Sequence, residues 1–160
     1  MPQNAKAAIA ATEMKHPLYI DRSIAIACVR GREAVVSRFQ DLLAEHDLTE
    51  QQWRTLRVLY EKEPIPLTQL CQYCCIHKVS MARILKYLDA RGLASRTRSK
   101  DDKRAYYVSL TQAGRDLLSQ LAPEANRIYD TISRDFGPQK TRLLLQLLHE
   151  IAQINNQLGS

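Results

Sequence analysis

From Lys78 to Arg104 the chain reads as a helix stopped by a glycine, then two short strands flanking a charged turn, and few folds accommodate that order. Met81, Ile84, Leu85 and Leu88 recur at helical intervals, and Gly92 stands where a left-handed residue ends a helix. Leu93 to Thr97 and Ala105 to Leu110 then read as strands, the second alternating Tyr106, Val108 and Leu110 on one face, with Arg98 to Arg104 as the hairpin tip. The same stretch carries nine Lys/Arg against three Asp, a surplus equal to the formal charge of +6 on the whole chain. Bases and acids balance elsewhere, so the positive charge forms one local patch of the kind that polyanions attract. Helix, hairpin and charge together point to double-stranded DNA.

The remaining sequence frames this segment. At 160 residues, with 45% apolar and 25% charged residues, the composition is that of a globular chain with one core or a core and an appendage. No apolar run approaches the ~20 residues that span a bilayer, and Ala7 to Ala11 is too short for a signal-peptide core. A cytoplasmic location without a membrane partner is expected, and the four cysteines then read as free thiols.

Residues 1–20 lack amphipathic periodicity and include Pro2 and Pro17, which reads as an arm. Asp21 is a candidate N-cap for a first helix carrying Ile24, Cys28, Gly31, Val35, Leu42 and Leu43 toward Ala44, within a segment 21–46. Thr49-Glu50-Gln51-Gln52 has the form of a capping box, opening a helix with Trp53, Leu56 and Tyr60 on it and Pro64-Ile65-Pro66 at its end. Thr68 can cap a short helix through Cys74, and the tight Cys75-Ile76-His77 connection leads to the helix from Lys78 to Arg91, a helix-turn-helix. Residues 47–118 thus read as one winged domain.

Thr111 is expected to cap a further helix, interrupted or bent near Pro123, and Pro138 suits the first turn of a last one. On that last helix Leu144, Leu147, Ile151, Ile154 and Leu158 step by three and four, a seam a short helix does not bury alone. The fold class expected is mainly α: a winged helix-turn-helix domain, with N-terminal (21–46) and C-terminal (119–160) helices forming a dimerisation domain. Two-fold pairing sets recognition helices about 34 to 36 Å apart, one turn of DNA.

Opposite the apolar stripe of the basic helix lie Lys78, Val79, Ala82, Arg83 and Lys86, with Ser80 beside them. Small side chains let such a helix sink into the major groove, where Arg and Lys meet guanine edges or phosphates. Arg98, Lys100, Lys103 and Arg104 belong to the hairpin, with Lys100 and Lys103 suited to phosphate and a basic tip suited to the adjacent minor groove. The plainer reading is a solvated helix face, with Arg104 paired to Asp101 or Asp102.

Cys71, Cys74 and Cys75, with His77 close behind, superficially resemble soft-metal spacing, but a buried thiol face with Cys71 and Cys75 under the basic helix is the simpler account. Cys28 is a candidate sensing thiol only if its pKa is lowered and it is accessible. There is no phosphate loop, nucleophile motif or convincing ligand spacing, so neither enzyme activity, cofactor nor metal is expected.

Asp102-Lys103-Arg104 through Thr111-Gln112-Ala113-Gly114, and Leu88-Asp89-Ala90-Arg91-Gly92-Leu93, resemble the wing and following helix start of the MarR family of dimeric bacterial regulators, a likeness running from Ser23 to the C-terminus. Arg32-Glu33-Ala34, His46 to Arg54 and Cys75-Ile76 are similar to the subgroup that represses homoprotocatechuate (4-hydroxyphenylacetate) degradation operons. One departure is Ser99-Lys100, where the family's wing usually begins Asp-Pro.

The resemblance implies a homodimeric repressor on a pseudo-palindromic operator, with a small-molecule pocket between the dimerisation helices and the winged domain. Arg30, Arg32, His46 and Trp53 come from that neighbourhood. A small aromatic carboxylic acid needs an apolar slot, a stacking surface and a cation, which Trp53 with Arg32 or Arg30 could supply. Trp53 as core and both arginines as surface charges is the alternative. Two further readings stay open: a thiol- or metal-responsive regulator using Cys28 or Cys71/Cys74/Cys75, and an architectural DNA-binding protein without an effector.

Overall fold

The computed structural model describes residues 20, 23–99 and 105–157, with the side chains of 155–157 left aside. The chain divides into two units, residues 1–38 and 39–160. In the first, α1 (Ile24–Val36) is capped by Ser23, whose Oγ accepts the Ile26 N–H. Asp21, the expected cap, lies outside the described residues, as does the expected arm apart from Ile20. The single long helix expected from 21 toward Ala44 is broken: Ser37–Phe39 form a 3-10 turn before α2 (Gln40–Glu45). The Ser37 hydroxyl donates back to the Ala34 carbonyl at 3.2 Å, competing with the helical ladder at the break.

In the second unit, Thr49 opens α3 (Glu50–Lys62) with the full capping box: its Oγ1 accepts the Gln52 N–H, and Gln52 Oε1 accepts the Thr49 N–H. Beyond Pro64, Ile65–Pro66 form a two-residue strand, β1, and α4 (Leu67–Cys74) starts at once, with Pro66 rather than Thr68 at the N-cap. The β1 pairing with Val108 and Tyr107 holds Pro66 extended, so the helix begins one residue after it and Thr68 falls inside the first turn.

Cys75 takes a left-handed conformation, φ 50°, and terminates α4 before α5 (Lys78–Ala90). Met81, Ile84, Leu85 and Leu88 of α5 are all buried, as the stripe requires. Gly92 at φ 67° turns the chain into β2 (Ala94–Arg98), which pairs antiparallel with β3 (Tyr106–Leu110); the sheet order is β1-β3-β2. Thr111 caps α6 (Gln112–Phe136) through the Gly114 N–H while its own hydroxyl donates to the Gly92 carbonyl at 2.5 Å. A Cβ at Gly114 would stand 2.2 Å from the Leu93 carbonyl oxygen, so glycine is what lets α6 leave the sheet here.

Contrary to the expected interruption, α6 runs unbroken through Pro123. Leu118, Leu121 and Ala125 are buried on both sides of the proline, and this packing outweighs the one ladder bond that proline removes. Gly137 ends α6 and α7 (Pro138–Gln157) follows. Leu144, Leu147, Ile151 and Ile154 are exposed along it, and Leu158 lies outside the described residues. Leu143, Leu145 and Leu148 are exposed as well, so the apolar surface is wider than a single seam.

The core joins α3, α4, α5, β3 and α6: Leu56, Leu59, Leu70, Met81, Leu85, Leu88, Val108 and Leu121 are almost fully buried. Thr55 is buried among them, its hydroxyl donating to the Gln51 carbonyl at 2.7 Å. Glu63, just past α3, accepts the Leu110 N–H and pairs with Arg115, tying α3 to the β3–α6 corner.

Candidate nucleic-acid interface and ligand pocket

Burial of one stripe of α5 fixes the rotation of the helix about its axis. Val79, Ala82, Arg83 and Lys86 then share the exposed side with Lys78, while Ser80 is half-buried. Two other basic residues near this surface are engaged. Arg91 donates to the carbonyls of His46 and Asp47, both at 3.0 Å, and the Tyr87 hydroxyl donates to the same Asp47 carbonyl at 2.7 Å. Arg96 pairs with Asp89 at 3.6 Å. Arg83 and Lys86 are exposed on the side of α5 away from the buried stripe.

At the hairpin, Ser99 N–H donates to the Ala105 carbonyl and closes the pairing. Arg98 donates to the Tyr106 hydroxyl at 3.0 Å and lies 5.6 Å from its ring centroid. That hydrogen bond, together with the guanidinium charge, pulls the Tyr106 phenol below its ordinary range and raises Arg98 further. Arg98 is therefore set in place at the root of the tip. Lys100, Lys103 and Arg104, with Asp101 and Asp102, lie outside the described residues.

A cavity of about 310 Å³ opens between α3 and α6, walled by Trp53, Leu118, Ala122 and Ala125, with Arg57, Tyr60, Ser119, Asn126, Tyr129 and the carboxylate-bearing Glu61 supplying polar groups. Arg57 is its central cation. Its guanidinium carbon lies 5.7 Å from the Trp53 ring centroid and 5.5 Å from that of Tyr129, and Nη1 donates to the Tyr129 hydroxyl at 2.7 Å. Phe39 packs its ring 4.8 Å from that of Tyr129 and holds the far side. The cavity offers apolar walls and a pre-oriented guanidinium, a combination suited to a small anion with an apolar body. Pro123 has no N–H for the Ser119 carbonyl, one helical bond fewer beside the pocket wall.

Of the four residues expected to bind an effector, Trp53 lines this cavity. His46 is half-buried at the end of α2 and uses its main-chain oxygen to hold Arg91. Arg30 and Arg32 are exposed on α1 in the other unit, and Arg32 pairs with Glu33 at 2.7 Å. Sequence reasoning passed over Arg57, although it follows Trp53 by four residues and thus shares its helical face.

The cysteines are distributed differently from the expected face. Cys74 is the buried one, Cys71 is half-buried and Cys75 is exposed, because Cys75 lies past the end of α4, where i to i+4 spacing no longer defines a face. Burial pushes the Cys71 and Cys74 thiols up from the ordinary range, which lowers their thiolate fraction. Cys28 is exposed on α1. Among the described residues, no three His, Cys, Asp or Glu side chains gather as a metal ion would require.

Residues 46–105 match the family model described as the MarR family. The homoprotocatechuate degradative operon repressor of Escherichia coli is 34% identical over 134 residues, 84% of this chain and 90% of that one. The chain belongs to the MarR family. A solved structure of NadR in complex with 4-hydroxyphenylacetate superposes with a TM-score of 0.76 at 33% identity, covering 90% of this chain and 99% of that one. The repressor CouR bound to a 23-mer DNA duplex gives 0.74 at 27% identity, with 88% and 99% covered. This MarR-family chain is accordingly a transcriptional regulator rather than an enzyme, with a winged-helix fold. Among its described residues no helix is long and apolar enough to cross a membrane.

Proposed function

We propose that this MarR-family regulator is a homodimeric repressor that binds a pseudo-palindromic operator and is released by a small aromatic carboxylic acid. The observation that carries the DNA reading is the fixed rotation of α5, which leaves Val79, Ala82, Arg83 and Lys86 together on an exposed, cationic face. Ser80 borders that face, Lys78 opens it and Arg98 stands at the root of the wing, and the reading also takes in Lys100, Lys103 and Arg104, which lie outside the described residues. Acting on chromosomal DNA places the protein in the cytoplasm.

Pairing is supported by α7, whose seven exposed Leu and Ile residues from Leu143 to Ile154 form more apolar surface than a lone helix end leaves in water. Ile24, Ile26 and Val29 of α1 are exposed too, and a second copy supplies a partner for both helices.

The effector reading rests on the α3–α6 cavity: Trp53 and Leu118 for an aromatic body, Arg57 for the carboxylate, Tyr129 holding Arg57 in position. It agrees in kind with the aromatic acid bound by NadR and with the operon that the E. coli repressor serves. The acid releases DNA only if it prefers a dimer whose recognition helices no longer match successive grooves.

The test is a gel shift on the promoter beside the protein's own gene, with purified protein and a panel of aryl carboxylic acids, paired with thermal melting of the free protein. Binding to that fragment over random DNA, loss of the shift with an acid, and a raised melting temperature with the same acid support the reading. A strictly monomeric protein that ignores DNA at low salt overturns it.

A further inference from the structure

The most exposed large apolar side chain among the described residues is Val79, at 71%, and it sits in the first turn of α5. Single exposed apolar residues are ordinary on protein surfaces. The position of this one is not. It lies one turn before Ala82 and Arg83 and two turns before Lys86, on the side opposite four buried residues that prevent the helix from rolling it inward.

The first residues of a recognition helix are those that reach base edges in the major groove, and the one apolar feature that groove presents is the C5-methyl group of thymine. Valine suits that target. Its β-branch leaves essentially one rotamer in a helix, so little side-chain freedom remains to be lost on contact. Lys78, Arg83 and Lys86 around it supply the charge that holds a duplex close, and Ala82 adds no bulk that would keep the bases away.

Resting on the DNA-binding reading above, we infer that Val79 is a specificity-determining residue that reads a thymine by its methyl group in each half-site of the operator. The contact discriminates thymine from cytosine at that position by shape and desolvation, without a hydrogen bond. Arg83 reads or anchors the neighbouring position one helical turn further along.

The experiment replaces each operator thymine in turn by deoxyuridine, which removes the methyl and leaves base pairing intact, and measures affinity for the full-length wild type, Val79→Ala and Val79→Thr. The wild type loses about fourfold per half-site at one thymine, the scale of burying one methyl group. Val79→Ala binds the unmodified operator correspondingly less well and is indifferent to the same replacement, while Val79→Thr, which keeps a methyl group, retains sensitivity. Val79 is exposed and alanine favours helix, so unchanged melting temperatures show that both variants fold. A flat deoxyuridine scan on a tightly bound operator, or equal sensitivity in Val79→Ala, overturns the inference and leaves DNA binding standing. Failure of the wild type to bind any duplex overturns both.

Discussion

The Arg57 guanidinium donates to the Tyr129 hydroxyl at 2.7 Å while lying over the Trp53 ring, so a cation on α3 is held by α6 from the opposite wall of the cavity. A guanidinium already stacked and hydrogen-bonded loses little freedom when a carboxylate arrives. Arg57→Ala is expected to weaken aryl-acid binding by about 10- to 100-fold, the range of a charge-assisted hydrogen bond. Operator affinity without the acid should stay within about threefold, because Arg57 lines the cavity and does not belong to the exposed α5 face. Calorimetry with the acid and gel shifts without it check the two parts, and equal loss in both would remove the ligand role.

In the proposed DNA complex Arg83 and Lys103 are expected to do different work. If Arg83 meets a base edge, Arg83→Ala costs about 1 to 3 kcal/mol on the operator and blurs base preference. Lys103→Ala, at a position suited to phosphate, weakens all sequences alike and flattens the dependence of affinity on salt by about one ion. Titrations on operator and random duplex at several salt concentrations separate the two, and identical behaviour of both variants contradicts the division.

Gly114→Ala puts a methyl group against the Leu93 carbonyl oxygen, a main-chain atom that cannot swing aside. The strain of such overpacking is about 1 to 3 kcal/mol. Urea denaturation should show a lower midpoint at unchanged slope, since the size of the folded unit is the same.

Thiol labelling of the native protein should reach the exposed Cys28 and Cys75 early and Cys74 last. Cys75 is exposed, whereas burial hides Cys74 and raises its pKa, so less thiolate is present at any given pH. Labelling of Cys74 therefore speeds up as pH rises beyond the ordinary thiol range, or on unfolding. Mass spectrometry of timed samples at two pH values gives the order, and fast labelling of Cys74 at neutral pH would contradict it.

Local chemistry was the legible part of the sequence. Thr49 and Gln52 satisfy each other within four residues, Thr111 caps its own helix, and the Met81–Leu88 stripe needs only helical spacing to be recognised. What escaped depends on distant partners. Ile65–Pro66 become a strand because Val108 and Tyr107 lie beside them, and nothing nearby announces it. The strand in turn moved the start of α4 off Thr68. Pro123 looked like a break, yet the buried residues around it keep α6 whole. Arg57 was hidden for the same reason: one arginine among many bases gains meaning only when Tyr129 comes to it from another helix.

Arg91 and Tyr87 grip the segment before α3 by its main-chain oxygens, at His46 and Asp47, and by no side chain there. Every amino acid carries that oxygen. The identity of residue 46 is thus free to drift over generations without loosening α5 from the helix that bears Trp53 and Arg57, while residue 47, at φ 52°, is confined to types that tolerate a left-handed bend. Substitutions at 87 or 91 carry the risk instead, because they remove the hydrogen bonds that tie the segment before α3 to the C-terminal end of α5.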